Sequence, residues 1–181
     1  MRIISGKYKG KRLVAPKKLP VRPTTDMAKE ALFNILNNRY YLDESKVLDL
    51  FAGTGNISFE FGSRGASGVT AVDSFVGCVQ FISKTARELD FPIIAVKSDV
   101  FQFLERTKEQ AQIIFADPPY DFSQEQFLKI ADLVFENGLL LDDGLLVIEH
   151  SDQTDLSQHQ HYSEHRKYGS SVFSFFEAIS D

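Results

Sequence analysis

From residue 46 onward the chain alternates short apolar runs with stretches of helical periodicity, and that alternation leaves few folds open. The apolar runs are "KVLDLF", "GVTAVD", "PIIAVKSD", "QIIFAD" and "GLLVIEH". Between them lie "ISFEFGSRG", "VGCVQFISKTARELD", "VFQFLERTKEQ" and "SQEQFLKIADLVFENG". Val76, Val79, Ile82 and Ala86 fall in phase on the second of these, and Phe127, Ile130, Leu133 and Val134 on the fourth. Strands apolar on both faces, each followed by a helix, predict an α/β fold with a mostly parallel sheet covered on both sides. The C-terminal segment departs from this pattern. "SDQTDLSQHQHYSEHRK" is polar, and "YGSSVFSFFEAIS" resumes as a strand after a Tyr-Gly-Ser turn. Strands with no helix between them form a hairpin, so the sheet is expected to close on an antiparallel edge.

Upstream of residue 46 the signals differ. "PKKLPVRPTTD" is a proline-punctuated connector that should run extended. Thr25 or Asp26 can then cap a helix that carries Ala28, Ala31, Leu32, Ile35 and Leu36 on one face and ends in "NNRYY". The first segment, "RIIS-GKYKG-KRLVA", is two β-rich runs around a glycine-flanked turn, which is a hairpin signal. It sets Lys7, Lys9, Lys11 and Arg12 near a tip, with Tyr8 among them. The chain therefore divides into a basic β-hairpin extension over residues 1–22 and a main domain over residues 23–181.

Charge follows the same division. Residues 1–22 hold eight cations (Arg2, Lys7, Lys9, Lys11, Arg12, Lys17, Lys18 and Arg22) and no acid. All 25 acids lie beyond them, against the other 12 cations, so the net charge of −5 hides a basic arm on an acidic body. Such an arm suits a polyanion. The single Cys78 excludes a disulfide framework and a cysteine-built zinc site, and points to a reducing cytoplasm. No apolar stretch approaches the roughly 20 residues of a membrane span, and the N-terminus has no signal-peptide core. His150, His159, His161 and His165 are irregularly spaced in or beside a polar stretch, which suits a surface better than a metal site.

"VLDLFAGTGN" puts Gly53 and Gly55 directly after the first strand, where a tight turn lets a ligand approach the backbone beside a helix N-terminus. Asp73 ends the second strand, where a carboxylate can accept both ribose hydroxyls of a nucleoside. Asp99 follows the third strand, placed for an adenine amino group, with the Val100 N–H beside it. Asp49, Phe51 and Ser74 complete the candidate cofactor set. A NAD-binding fingerprint wants a third glycine where Ser58 stands. A ligand with adenine and ribose but no pyrophosphate asks less of the loop, and S-adenosylmethionine is such a ligand.

The fourth strand runs into Asp117-Pro118-Pro119-Tyr120. Proline fixes φ and removes a donor, so this turn is a rigid rim of acceptors with one ring. In an open α/β sheet it lies where ligands bind, beyond the carboxyl ends of the strands. The Asp117 carboxylate and Pro118 carbonyl can hold both hydrogens of an exocyclic amine and aim its lone pair at an electrophilic methyl group, while Tyr120 stacks on the base. A base inside a duplex cannot reach such a pocket, so the target is single-stranded, looped or flipped.

"DPPY" after the fourth strand resembles the amino-methyltransferases that act on adenine N6, cytosine N4 and guanine N2. "RIISGKYKGKRL", "RPTTDMAKEALFNIL" and "VLDLFAGTGNISFEFGSRGA", in that order and spacing, are similar to the RsmD family, bacterial enzymes that methylate guanine N2 in small-subunit ribosomal RNA. The likeness extends to Asp73, the "DPPY" block and the final "KYGSSVFSF". The resemblance implies a class I, Rossmann-like methyltransferase with a seven-stranded sheet closed by an antiparallel hairpin. S-adenosylmethionine would bind Gly53, Gly55 and Asp73 and leave as S-adenosylhomocysteine, with no metal. Asp117, Pro118, Pro119 and Tyr120 would bind the target guanine. Arg22, Thr24 and Thr25 would lie at the mouth, and Arg2 with Lys7, Lys9, Lys11 and Arg12 would grip phosphates of the small-subunit RNA or its assembling particle. The enzyme would be a cytoplasmic monomer. Ser5 stands where the family has glycine, "NIS" at 56–58 replaces a small glycine-containing run, and Asp73 is shorter than the glutamate often found there. Competing readings are a DNA adenine-N6 or cytosine-N4 methyltransferase, which lacks an evident target-recognition domain here, a non-catalytic RNA-binding module, and a NAD-dependent oxidoreductase.

Overall fold

The computed structural model describes residues 1–21 and 24–179. Seven strands, β1 (Lys46–Leu50), β2 (Gly68–Asp73), β3 (Ile93–Lys97), β4 (Ala111–Ala116), β5 (Leu140–His150), β6 (Tyr162–Tyr168) and β7 (Ser171–Phe176), share one sheet. The helices are α1 (Asp26–Arg39), α2 (Asn56–Ser63), α3 (Val76–Glu88), α4 (Val100–Arg106) and α5 (Gln124–Glu136). The strand order is β3-β2-β1-β4-β5-β7-β6. Strands β1 to β5 run parallel, β7 pairs antiparallel with β5, and β6 pairs antiparallel with β7. This is the expected class I methyltransferase sheet. The order reverses between β1 and β4, which opens a crevice at their carboxyl ends.

Alternation along each strand divides the core between the two faces. Leu48, Leu50, Ile114 and Ile148 pack with Phe127 and Ile130 of α5. Val47, Ile113, Phe115 and Val147 pack with Leu32 and Phe33 of α1 and Phe61 of α2. Strand β6 forms in the polar stretch that carried no strand signal. Its five central residues are exposed, so an edge strand with no buried face shows no apolar alternation. Charges on it, such as Lys167, which pairs with Asp152 at 2.8 Å, discourage another chain from adding to that edge.

Two helix faces differ from the periodicity. On α3, Val76 is exposed and the buried line is Cys78, Ile82, Thr85 and Ala86. On α1, Ala28, Leu32 and Leu36 are buried as expected, but Phe33 and Lys29 join them in place of Ala31 and Ile35. The cause is Glu60 on α2, a helix in which every residue is buried. Lys29 Nζ lies 3.2 Å from the Glu60 carboxylate, with both side chains closed off from solvent. Lys29 also donates to the Arg2 carbonyl at 2.5 Å and to Asn56 Oδ1 at 2.9 Å. Burial lowers the Lys29 pKa, and Glu60 opposes that shift.

The N-terminal arm folds back as expected, but as a ribbon with one antiparallel bridge, Arg2 to Arg12, rather than two full strands. It is fastened to α2 through its backbone. Glu60 accepts from Ile4 N at 2.8 Å and Ser5 N at 3.1 Å, and Ser63 Oγ accepts from Tyr8 N at 3.0 Å. Gly6 adopts φ +89°, and a Cβ there would sit 2.0 Å from the Ser63 carbonyl oxygen, so only glycine allows this approach. Tyr8 keeps one of the cations beside it, with Lys7 Nζ 5.5 Å from its ring centroid, but it is half-buried rather than exposed at the tip. Its ring meets Phe91 edge-on and its hydroxyl donates to the Leu89 carbonyl at 3.3 Å.

Beneath the loop that follows β1, Asp49 is 1% exposed and accepts from Ser58 Oγ at 2.6 Å. Burial raises its pKa to about 7, with Asp73 adding to the shift. Ser58, at the position a dinucleotide fingerprint gives to glycine, is therefore the partner of a buried acid.

Removing one member of a buried pair leaves the other uncompensated, at about 3–5 kcal/mol. Lys29→Met should lower the unfolding free energy by about 3 kcal/mol in a denaturant titration, and an unchanged midpoint and slope would deny the pair its role. For Asp49, a folded pKa of about 7 lies above an unfolded value of about 3.9. The native state then holds the proton longer, so this contribution is intact below about pH 4 and is lost as pH rises through 7. Asp49→Asn, which keeps an acceptor for Ser58, should match the parent at pH 4 and exceed it in stability at pH 8. Parallel pH–stability curves for the two proteins would refute this.

Candidate active site

The turn after β1 is coiled tightly enough to need left-handed residues at three places, Phe51 (φ 57°), Gly53 (φ 59°) and Gly55 (φ 85°). Phe51 is the strained one, since a bulky side chain rarely takes that conformation. A Cβ at Gly55 would press on Phe59 and Ile82 at under 3 Å, so the loop can sit this close to α3 only with glycine there. Asp73, at the end of β2, braces the loop. Its Oδ2 accepts from Gly53 N at 2.9 Å and its Oδ1 from Phe75 N at 2.9 Å. Each carboxylate oxygen keeps a second acceptor site, and Asp73 is only half-buried. Ser74 beside it is exposed.

Asp99 is the N-cap of α4 and accepts from Gln102 N at 3.0 Å through Oδ1, while remaining exposed; Val100 behind it is buried. Asp117 follows β4 directly, and its backbone N–H reaches the Leu50 carbonyl at 3.3 Å. The target-turn candidates therefore sit against the glycine loop. Asp117 is half-buried, Pro118 buried, Pro119 exposed and Tyr120 79% exposed, so a flat ring stands at the rim with one face available.

Phe122 ties these segments together, and its sequence context did not single it out. Its ring meets Phe51 of the glycine loop edge-on at 5.5 Å and stacks on Phe101 of α4 at 5.9 Å. Its backbone N–H closes the turn on the Pro119 carbonyl at 3.0 Å. A lone phenylalanine after a turn looks like core in a chain with sixteen of them; only the fold places it at the junction of three loops.

Glu149, at the end of β5, is the second residue whose position sequence reasoning left open. The register pairing Ala116 with Ile148 brings the next residues, Asp117 and Glu149, side by side. Thr24 Oγ1 donates to Glu149 Oε2 at 2.8 Å, while Thr25 caps α1 by accepting from Ala28 N at 3.2 Å. Leu19 and Val21 pack on the loops at the crevice. Val21 lies 3.2 Å from where a Cβ of Gly53 would be, and Leu19 lies 2.7 Å from the equivalent point at Gly77. Arg22 lies outside the described residues. Of the expected phosphate contacts, Lys7, Lys9, Lys11 and Arg12 are exposed, and Arg2 pairs with Asp26 at 3.1 Å.

The histidines have other partners. His150 is buried, with Nε2 on Ser174 Oγ and Nδ1 on the Ser151 carbonyl, both at 2.7 Å, and burial lowers its pKa. His161 stacks on Phe135 at 3.8 Å, and His159 meets Asp132 at 2.9 Å. Among the described residues no cluster of three metal-ligating side chains occurs, and no helix is long and apolar enough to cross a membrane.

Comparison with known proteins agrees with this architecture. The family described as "Conserved hypothetical protein 95" matches residues 1–177. The Escherichia coli K12 protein named "Ribosomal RNA small subunit methyltransferase D" is 33% identical over 150 residues, covering 82% of this chain and 74% of that protein. A solved structure of a hypothetical protein from Thermus thermophilus superposes with a TM-score of 0.84 at 26% identity, over 98% of this chain and 99% of that one. At the level of fold alone, the Thermus thermophilus 16S rRNA N2 G1207 methyltransferase, solved with AdoMet and guanosine, aligns with a TM-score of 0.69 at 20% identity, over 89% of this chain and 45% of its own. Sheet order, glycine loop and the turn after β4 together with these likenesses establish that the chain belongs to the RsmD family of small-subunit ribosomal RNA methyltransferases.

Proposed function

We propose that the protein transfers the methyl group of S-adenosylmethionine to the exocyclic N2 amine of a guanosine in small-subunit ribosomal RNA. The observation that carries this reading is the convergence of the glycine loop, the Asp99 turn and the Asp117 turn around Phe122. A donor held by the first two segments then lies next to an acceptor held by the third. The fold relative solved with AdoMet and guanosine supports the same pairing of ligands.

The residues suit the donor. The tight turn at Gly53 and Gly55 leaves backbone open to a ligand, and Asp73 retains acceptor capacity for ribose hydroxyls. Asp99 has Oδ2 for an adenine amino group beside the Val100 N–H, and Phe51 and Ser74 border the same space. Asp49 supports the loop from below through Ser58. When bound, S-adenosylmethionine supplies a methyl group activated by a sulfonium and leaves as S-adenosylhomocysteine.

The protein's own contribution is to orient the amine. The guanine N2 lone pair is delocalised into the ring and is a poor nucleophile. Accepting its two hydrogens at the Asp117 carboxylate and the Pro118 carbonyl turns the lone pair toward the donor, and the two prolines keep those acceptors from drifting. Once the new N–C bond forms, the nitrogen is strongly acidic. Asp117 need not be a strong base to take the proton. Tyr120 stacks on the base, and the arm cations Lys7, Lys9, Lys11 and Arg12, with Arg2, Arg22, Thr24 and Thr25 toward the mouth, hold the RNA backbone.

The test is transfer of labelled methyl to small-subunit particles lacking the modification, with the labelled nucleoside identified. N2-methylguanosine is expected. Label in N6-methyladenosine or N4-methylcytosine would overturn the guanine reading. Asp117→Ala should reduce kcat by about 100-fold or more while the donor still raises Tm. A neutral Lys9→Ala, Lys11→Ala pair should weaken RNA binding and flatten its salt dependence by about 0.7–0.9 per lost phosphate contact. An unchanged slope would remove the arm from the interface.

A further inference from the structure

Asn56 is the first residue of α2, directly after Gly55. It is 8% exposed, and both ends of its amide are used. Oδ1 accepts from Lys29 Nζ at 2.9 Å, and Nδ2 donates to the Thr24 carbonyl at 3.2 Å. The ammonium on one side and the carbonyl on the other fix which way the amide points. Thr24 in turn donates its hydroxyl to Glu149 at 2.8 Å, next to Asp117. One short chain of hydrogen bonds therefore runs from the buried ion pair, past the glycine loop, to the strand end that carries the target turn.

We infer that Asn56 is a positioning residue for the target pocket: its amide N–H fixes Thr24, and Thr24 fixes the Glu149 wall beside Asp117. This rests on the proposed function only in taking the Asp117 turn as the place where the acceptor amine sits. Lys29 does not depend on Asn56 for its burial, because it keeps Glu60 and the Arg2 carbonyl. The link to Thr24 needs a donor, which only the amide nitrogen provides. That difference separates a structural role from a positioning one.

Asn56→Asp is the same size and still accepts from Lys29, but it sets an oxygen against the Thr24 carbonyl. It should keep the parent's fold at some cost in stability, bind S-adenosylhomocysteine with unchanged affinity, and lose about 10- to 100-fold in kcat with little change in the donor KM. Thr24→Val should show the same loss and Thr24→Ser should recover it. Joining Asn56→Asp to Thr24→Val should add nothing further, as expected for one chain of contacts. Parental kcat in Asn56→Asp, or losses that multiply in the double variant, would overturn the inference. All variants are compared with the parent on the same acceptor RNA. Label in a nucleoside other than N2-methylguanosine would therefore sink the guanine reading and leave this ratio, and the test of Asn56, intact.

Discussion

The arrangement of this molecule depends on one buried carboxylate. Glu60 accepts from Lys29 Nζ, Arg64 Nε and the backbone N–H groups of Ile4 and Ser5. A carboxylate offers about four acceptor sites, and these four donors use them. Taking such charges out of water is expensive, and an apolar replacement is often as stable. No apolar side chain, however, can satisfy two backbone N–H groups of an arm that has only one ladder bridge of its own. Glu60 thus joins three parts distant in sequence: the arm, the helix α1 that follows the connector, and the helix that begins at the glycine loop.

The consequence is felt at the carboxyl ends of the strands. Because α1 is pinned at Lys29, Thr24 just before it is held on Glu149, while Val21 lies against Gly53. Because α2 is pinned at Glu60, its first residue and the loop before it have a fixed height above β1. Asp49 and Ser58 secure the same helix from the sheet side. The candidate active site is therefore a gap between elements that are each fastened elsewhere.

Much of this was legible in the sequence where the signal was local. The five parallel strands, the Thr25 cap, and the places of Gly53, Gly55, Asp73 and Asp117 follow from periodicity, turn chemistry and strand ends. What was not legible required contacts across the chain. Lys29 and Glu60 each look like solvent-facing helix residues until the helices are packed together. Strand β6 has no buried face, so its sequence carries no strand period. Phe122 and Glu149 take their positions from loops and a register that no single segment encodes. Tyr8 reads as an exposed ring among lysines, but Phe91 and the Leu89 carbonyl draw it inward.

The same logic explains how a strongly basic arm can be docked on an acidic body with only Arg2 paired to it, through Asp26. The arm is held by backbone N–H groups and by the buried side chains of Ile3 and Leu13. Lys7 joins that attachment only through its backbone N–H, which donates to the Ser63 carbonyl at 2.7 Å, and the side chains of Lys7, Lys9, Lys11 and Arg12 stay exposed. The acid-rich remainder disfavours a polyanion over most of its surface, so under the proposed function an approaching RNA would be steered to the arm. Had the arm been anchored by ion pairs between its lysines and the body, folding and RNA recognition would compete for the same charges. Anchoring it by backbone to Glu60 and Ser63 separates the two demands.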